Sequence, residues 1–233
     1  MFEITDEHLT GAGIFVGSVV AAVANALLPK GTWASWIKKL RPARGVPGTV
    51  EITRDREVYR LLAELRFEFD ADRAHVWRFH NGTHFAPGKG DSIWKMTVTH
   101  EIVALGVSRE ASNCKGILFS HLTGFAGPVL TGESSDGAVN LCHECKHCPA
   151  GSPRHCVFTI VDMMENSSAK QMLVERGVYA TLSRNLSKHG KDRDFGILTL
   201  EWCAPPTEDP QAVHKHRALC QAAERVQYLL GGA

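Results

Sequence analysis

Three hydrophobic patterns follow one another along this chain. The first has no polar interruption by charge: Gly11 to Leu28 runs for eighteen uncharged residues, close to the ~20 that a bilayer-spanning helix needs. Pro29 closes it. Trp33 and Trp36 follow, with Lys30, Lys38, Lys39, Arg41 and Arg44, whereas Glu3, Asp6 and Glu7 precede it. Interfacial tryptophans and a basic step mark a cytoplasmic boundary. The acidic leader lacks the basic start of a signal peptide. The expectation is a transmembrane anchor over 1–30, a basic juxtamembrane linker over 31–49 broken by Pro42, Gly45, Pro47 and Gly48, and a cytoplasmic domain over 50–233. Membrane lipid is then the partner of residues 11–28. Gly13, Gly17, Ala21 and Asn25 fall on one face of that helix, a small-residue stripe that suits a parallel homodimer.

The second pattern is helical. Val58, Leu61, Leu62, Leu65 and Phe69 recur at helical spacing, with Arg56, Arg60, Glu64 and Glu68 on the polar face. Val213, His216, Leu219, Cys220, Ala223, Val226 and Leu230 mark a closing helix, for which Asp209-Pro210 offers an N-cap and first residue. A short helix is expected after a capping box at Ser168 and Gln171, ending at Gly177. The third pattern is that of strands. Arg73–Phe79, Trp94–Val103, Val178–Ser183 and Gly196–Trp202 are rich in strand formers. In the second of these, Met96, Val98 and His100 alternate with Thr97, Thr99 and Glu101. Asn81-Gly82 reads as a turn and residues 188–192 as a hairpin loop. Residues 116–132 are apolar but irregular, and order resumes at Val157.

Composition narrows the partners. Lys plus Arg number 26 against 25 Asp plus Glu, so no global field draws nucleic acid, and no specific nucleic-acid signal appears. Cysteine is more telling. Of seven, four crowd together as Cys142-x2-Cys145-x2-Cys148-x7-Cys156, interleaved with His143, His147 and His155. Such tandem spacing lets thiolates converge on one ion, and the layout fits a reducing compartment. Cys142, Cys145, Cys148 and Cys156 are the expected metal ligands, in a cysteine-rich insertion at about 138–157. Zinc is favoured by the histidines and the nearby fourth thiol; an iron-sulfur cluster is the alternative, since Cys142 to Cys148 has ferredoxin-like local spacing. Cys203 and Cys220 are expected on apolar faces as core, and His214 and His216 as solvent and core, not as ligands.

Taken together, Arg73-Ala-His-Val-Trp-Arg-Phe-His-Asn-Gly82, the Lys95–Glu101 strand and the Gly196–Trp202 strand before a terminal helix resemble the GAF-domain superfamily. In particular they resemble GAF-like proteins of phages and bacteria that carry a Phe-His-Asn-Gly turn. The resemblance implies an α+β fold: a central antiparallel sheet flanked by helices, with the first and last helices packed together on one face and often used for dimerisation. It implies a small-molecule or regulatory role. In that frame Arg78, His80, Asn81, Thr97, Thr99 and Glu101 are the candidate ligand-binding residues. The cysteine-rich stretch departs from the family pattern.

Enzyme motifs are missing from the sequence. Gly88-Lys89-Gly90 lacks the upstream glycine and following Ser or Thr of a phosphate loop, and neither H-E-x-x-H nor G-x-S-x-G occurs. The expected function is a non-catalytic, membrane-anchored GAF-like sensor or interaction module with a structural zinc site, whose small-molecule or protein partner the sequence does not name. With no output domain legible after the closing helix, a signal would leave through dimerisation or a separate protein. Two alternatives stand beside this: an iron-sulfur redox protein at the membrane, and a structural phage or membrane-complex component without ligand.

Overall fold

The computed structural model describes residues 49–80, 94–133, 135–141, 155–187 and 194–231. The span expected at 11–28 lies outside them, as do Asn81, Cys142, Cys145 and Cys148. Among the described residues no helix is long and apolar enough to cross a membrane.

Helix α1 (Thr49–Glu68) opens the domain and extends N-terminally well beyond the apolar repeat that predicts it. It leads into strands β1 (Arg73–His80) and β2 (Lys95–Val103), a two-residue β3 (Ile117–Leu118), helix α2 (Thr123–Thr131) and β4 (Ala138–Asn140). Strand β5 (Cys156–Ile160), helix α3 (Ser168–Glu175), strands β6 (Ala180–Ser187) and β7 (Asp194–Trp202) and helix α4 (Val213–Gly231) complete it. Among the described residues, seven strands form one antiparallel sheet in the order β3-β2-β1-β7-β6-β5-β4.

Strand alternation gives each face its own core. Ala74 and Val76 of β1, Leu182 of β6, and Leu198, Leu200 and Trp202 of β7 meet Val58, Leu62 and Leu65 of α1 and Leu219, Ala223 and Val226 of α4. Trp77, Met96, Val98 and Ile197 meet Phe125 and Val129 of α2 and Leu173 of α3 on the other face. First and last helices thus share one face of an antiparallel sheet, the α+β arrangement that the GAF resemblance implies. At the centre, β1 and β7 approach so closely that a Cβ on Gly196 would lie 2.2 Å from the Trp77 carbonyl oxygen.

Several local expectations shift. The N-cap of α3 is Ser167, one residue before the expected capping box; its hydroxyl accepts from the Lys170 amide. Gly177, as expected, takes a left-handed φ of 66°. Helix α4 starts at Val213, after a turn in which the Asp209 carboxylate accepts the Gln211 amide. The irregular apolar stretch holds α2 despite an internal Pro128. Cys203, expected on an apolar face, is exposed just past the end of β7. In β2 the alternation breaks: the register slips opposite Val76 and Trp77, so that His100 pairs with Val76 and Val98 with Trp77. Such a bulge turns the residues beyond it to the other face. Glu101 therefore joins Met96 and Val98, and His100 turns towards α1, where it meets Asp55 and Tyr59.

Candidate functional site

Register alone builds a polar patch on the face that α2 and α3 cover. Arg73 of β1 lies opposite Glu201 of β7, which lies opposite Thr181 of β6, which lies opposite Thr159 of β5. One row further in, Glu101 of β2, His75, Thr199 and Ser183 face one another. Opposed residues project to the same side, so eight polar side chains form two adjacent cross-strand rows. All eight are buried. A sheet face inside a domain is ordinarily apolar, and buried polar groups persist there only when hydrogen-bonded.

Part of the patch satisfies itself. The Glu201 carboxylate, fully buried, accepts from Arg176 Nη2 at 2.8 Å and from Arg73 Nη1 at 3.4 Å. Arg73 also donates to the Ser108 carbonyl, the Ser108 hydroxyl and the Arg176 carbonyl. Glu101 accepts the backbone amides of Glu110 and Ala111 at 2.9–3.1 Å. Ser183 and Thr199 share a 3.1 Å hydroxyl contact.

Another part does not. Both ring nitrogens of His75, Trp77 Nε1, Thr181 Oγ1, Arg176 Nε and Nη1, and Glu201 Oε1 are buried without a hydrogen-bond partner among the described residues. His75 Nε2 comes within 3.5 Å of Glu201 Oε1 without bonding it. Burial, reinforced by the Arg176 charge, holds the His75 imidazole well below its ordinary pKa, so the ring is neutral. One of its nitrogens then donates and the other accepts. These four kinds of donor and the carboxylate oxygen are sealed inside the domain, with no water-sized space beside them.

A second cluster sits on the opposite, α1/α4 face. Cys156 opens β5; Cys220 and His216 are four residues apart on α4 and share its buried stripe. One ligand atom from each lies within 4.8 Å of the others, and the set is able to hold a metal ion. The two sulfurs are 4.0 Å apart. Arg184, opposite Cys156 in the sheet, donates through Nη1 to both sulfurs. A hydrogen bond from Cys156, with His216 and the Arg184 guanidinium beside it, pulls the Cys220 thiol down to about 3. Burial instead pushes Cys114 up to about 11.

The six ligand-binding residues expected from the sequence are divided by the fold. Glu101 belongs to the buried polar patch. Arg78, in contrast, lies over the Phe195 ring at 5.8 Å, its guanidinium within the influence of Asp55 on α1. His80 Nε2 meets Thr97 Oγ1 at 2.8 Å, and that hydroxyl accepts the Gly116 amide. Thr99, at the bulge, contacts the Val76 carbonyl and His100 Nδ1. Asn81 lies outside the described residues. Of the four expected metal ligands, Cys156 is the one described, and it faces Cys220 and His216. Sequence reasoning passed over Arg73, His75, Thr181, Arg176 and Glu201. A glutamate inside the otherwise apolar Gly196–Trp202 run, and arginine and histidine alternating with Ala74 and Val76, were the available signals.

No protein-family profile matches the chain, and no curated protein does. Among solved structures, it is similar to GAF3 from Slr1393 of Synechocystis sp. PCC6803 in its photoproduct state, at 14% identity over 76% of this chain and 93% of that one, with a TM-score of 0.48. It is also similar to the blue-light absorbing form of the Thermosynechococcus elongatus PixJ GAF domain, at 16% identity over 78% and 85%, with a TM-score of 0.46. The chromophore-binding domain of the bacteriophytochrome RpBphP3 from R. palustris is similar at 12% identity over 78% and 59%, with a TM-score of 0.47.

Proposed function

We propose that this protein is a non-catalytic, GAF-like sensor or interaction module in which a small polar molecule enters the buried patch under α2 and α3 as the side chains packed over it part. One observation carries this reading: polar atoms of His75, Trp77, Thr181, Arg176 and Glu201 converge on one side of the sheet, buried and without partners among the described residues. Each such atom left bare costs roughly 1–3 kcal/mol. Several together call for a bound molecule that satisfies them. Donors outnumber acceptors, so the fitting ligand is rich in carbonyl or carboxylate oxygens, with one donor for Glu201 Oε1. The open Nε and Nη1 of Arg176 lie on different edges of the guanidinium, and each favours a charged or carbonyl oxygen through a single charge-assisted hydrogen bond.

The module is carried at the membrane by residues 11–28, with the domain on the cytoplasmic side and Gly13, Gly17, Ala21 and Asn25 as the face for a second copy. Zinc belongs to the reading as a structural ion. The test is native mass spectrometry of the full chain purified in detergent. A non-covalent small molecule should be found, and should be lost in the variant Arg176→Met while the fold is retained by circular dichroism. A chain with no bound molecule and ordered water over the patch would instead describe a structural component, and a coloured iron-sulfur chromophore would describe a redox protein.

A further inference from the structure

The cluster on the α1/α4 face has a geometry of its own. Cys156, His216 and Cys220 are each at most 5% exposed, and they come from two elements 60 residues or more apart, as Cys156 and Cys220 are separated by 64 positions. Tetrahedral zinc with sulfurs at about 2.3 Å spaces two thiolates about 3.8 Å apart. The observed 4.0 Å separation is within a few tenths of an ångström of that value. A histidine one helical turn before Cys220 places its nitrogen beside the same point.

We propose that Cys156, His216 and Cys220 are the protein ligands of a zinc-class divalent ion, and that Arg184 is its outer-sphere donor. The proposal rests on the zinc part of the function given above and deepens it by moving the site from the cysteine-rich segment to the sheet–helix junction. Two thiolates and one neutral imidazole balance a divalent charge. Arg184, 1% exposed and donating to both sulfurs, adds one positive charge in a place where an uncompensated charge is costly. The fourth ligand is therefore anionic, a hydroxide or a further thiolate. Hydrogen bonds from Arg184 to coordinating sulfur hold the thiolates in place, the role that outer-sphere groups take at metal centres. The ion fastens the start of β5 to the middle of α4, so its binding energy adds directly to folding.

Metal content of the full chain, purified reduced from zinc-supplemented cells, is the test. Cys220→Ser and His216→Ala should each lose one whole equivalent of zinc relative to the unmodified protein, although neither residue belongs to the Cys142–Cys156 set. Because a buried substitution is able to unfold the domain, Cys220→His is the second variant. It should keep added cobalt with weakened thiolate-to-cobalt absorption, since Cys156 remains the one thiolate of the set. Should every variant unfold, the cobalt spectrum of the unmodified chain decides, with two- or three-thiolate intensity expected. Unchanged zinc in both first variants, an unchanged cobalt spectrum in Cys220→His, or four-thiolate intensity overturns the site. If zinc persists in Cys220→Ser but leaves in Cys142→Ser, this assignment fails while structural zinc stands. If the unmodified chain takes up neither zinc nor cobalt, both fail, and the ligand patch on the opposite face is untouched by either result.

Discussion

His75 should make the stability of the domain depend on pH in a way that one substitution removes. Its side chain is fully buried in β1, neither ring nitrogen has a partner among the described residues, and Arg176 adds positive charge nearby. Burial is the larger cause of the depressed pKa and the Arg176 charge the next. In the unfolded chain the imidazole returns to its ordinary value of 6.5. The sign follows. With the folded pKa below the unfolded one, the unfolded state binds the extra proton first, so the stability present above 6.5 is lost as pH falls towards the folded value. Between about pH 7.5 and about pH 5.5, one site of this kind costs roughly 1.4 kcal/mol, provided the folded ring stays neutral throughout. His100, also depressed by burial, adds a slope of the same sign, so the wild-type curve alone does not isolate His75. The comparison with His75→Gln does. Urea unfolding followed by tryptophan fluorescence, which Trp77 and Trp202 report from the core, should show the wild type losing roughly 1.4 kcal/mol more than the variant over that range. Parallel pH dependences for the two proteins would refute the neutral, unpartnered histidine.

Other consequences are local. Gly196→Ala should cost about 3 kcal/mol or more, or prevent folding, because its methyl would meet the Trp77 carbonyl of a neighbouring strand rather than a side chain able to turn away; expression level and chemical denaturation read this out. Ser167→Ala should cost about 1 kcal/mol by removing the acceptor for the Lys170 amide, whereas Ser168→Ala should be nearly silent in the same measurement. Gly177→Ala should cost roughly 1 kcal/mol: there is room for the methyl, and the penalty comes from the left-handed φ, partly offset by a less flexible unfolded chain.

Much of the frame was legible because its signals are periodic. The apolar stripes of α1 and α4 and the strand-forming runs of β1, β2, β6 and β7 announced themselves, while the antiparallel sheet with its terminal helices on one face was implied by the GAF resemblance alone. Helix α2 did not, since its two glycines and Pro128 contradict helical propensity and only burial of Phe125, Ala126 and Val129 holds it. The polar patch was hidden for a different reason. Its members come from five strands and the end of α3, and only sheet register brings them together. The one candidate it shares with the sequence reading, Glu101, reaches it through a bulge that reverses the alternation expected of β2. Cys220 read as core, which it is; that it shares its burial with Cys156, His216 and Arg184 depends on the packing of α4 against β5 and β6.

The central claim is that the patch under α2 and α3 holds a small, acceptor-rich molecule, and a diffraction map of the chain as purified tests it most directly. The account predicts density that is not water within hydrogen-bond distance of Arg176 Nε, Trp77 Nε1 and Thr181 Oγ1. Side chains that bond one another across the patch, with no further density among them, would contradict it.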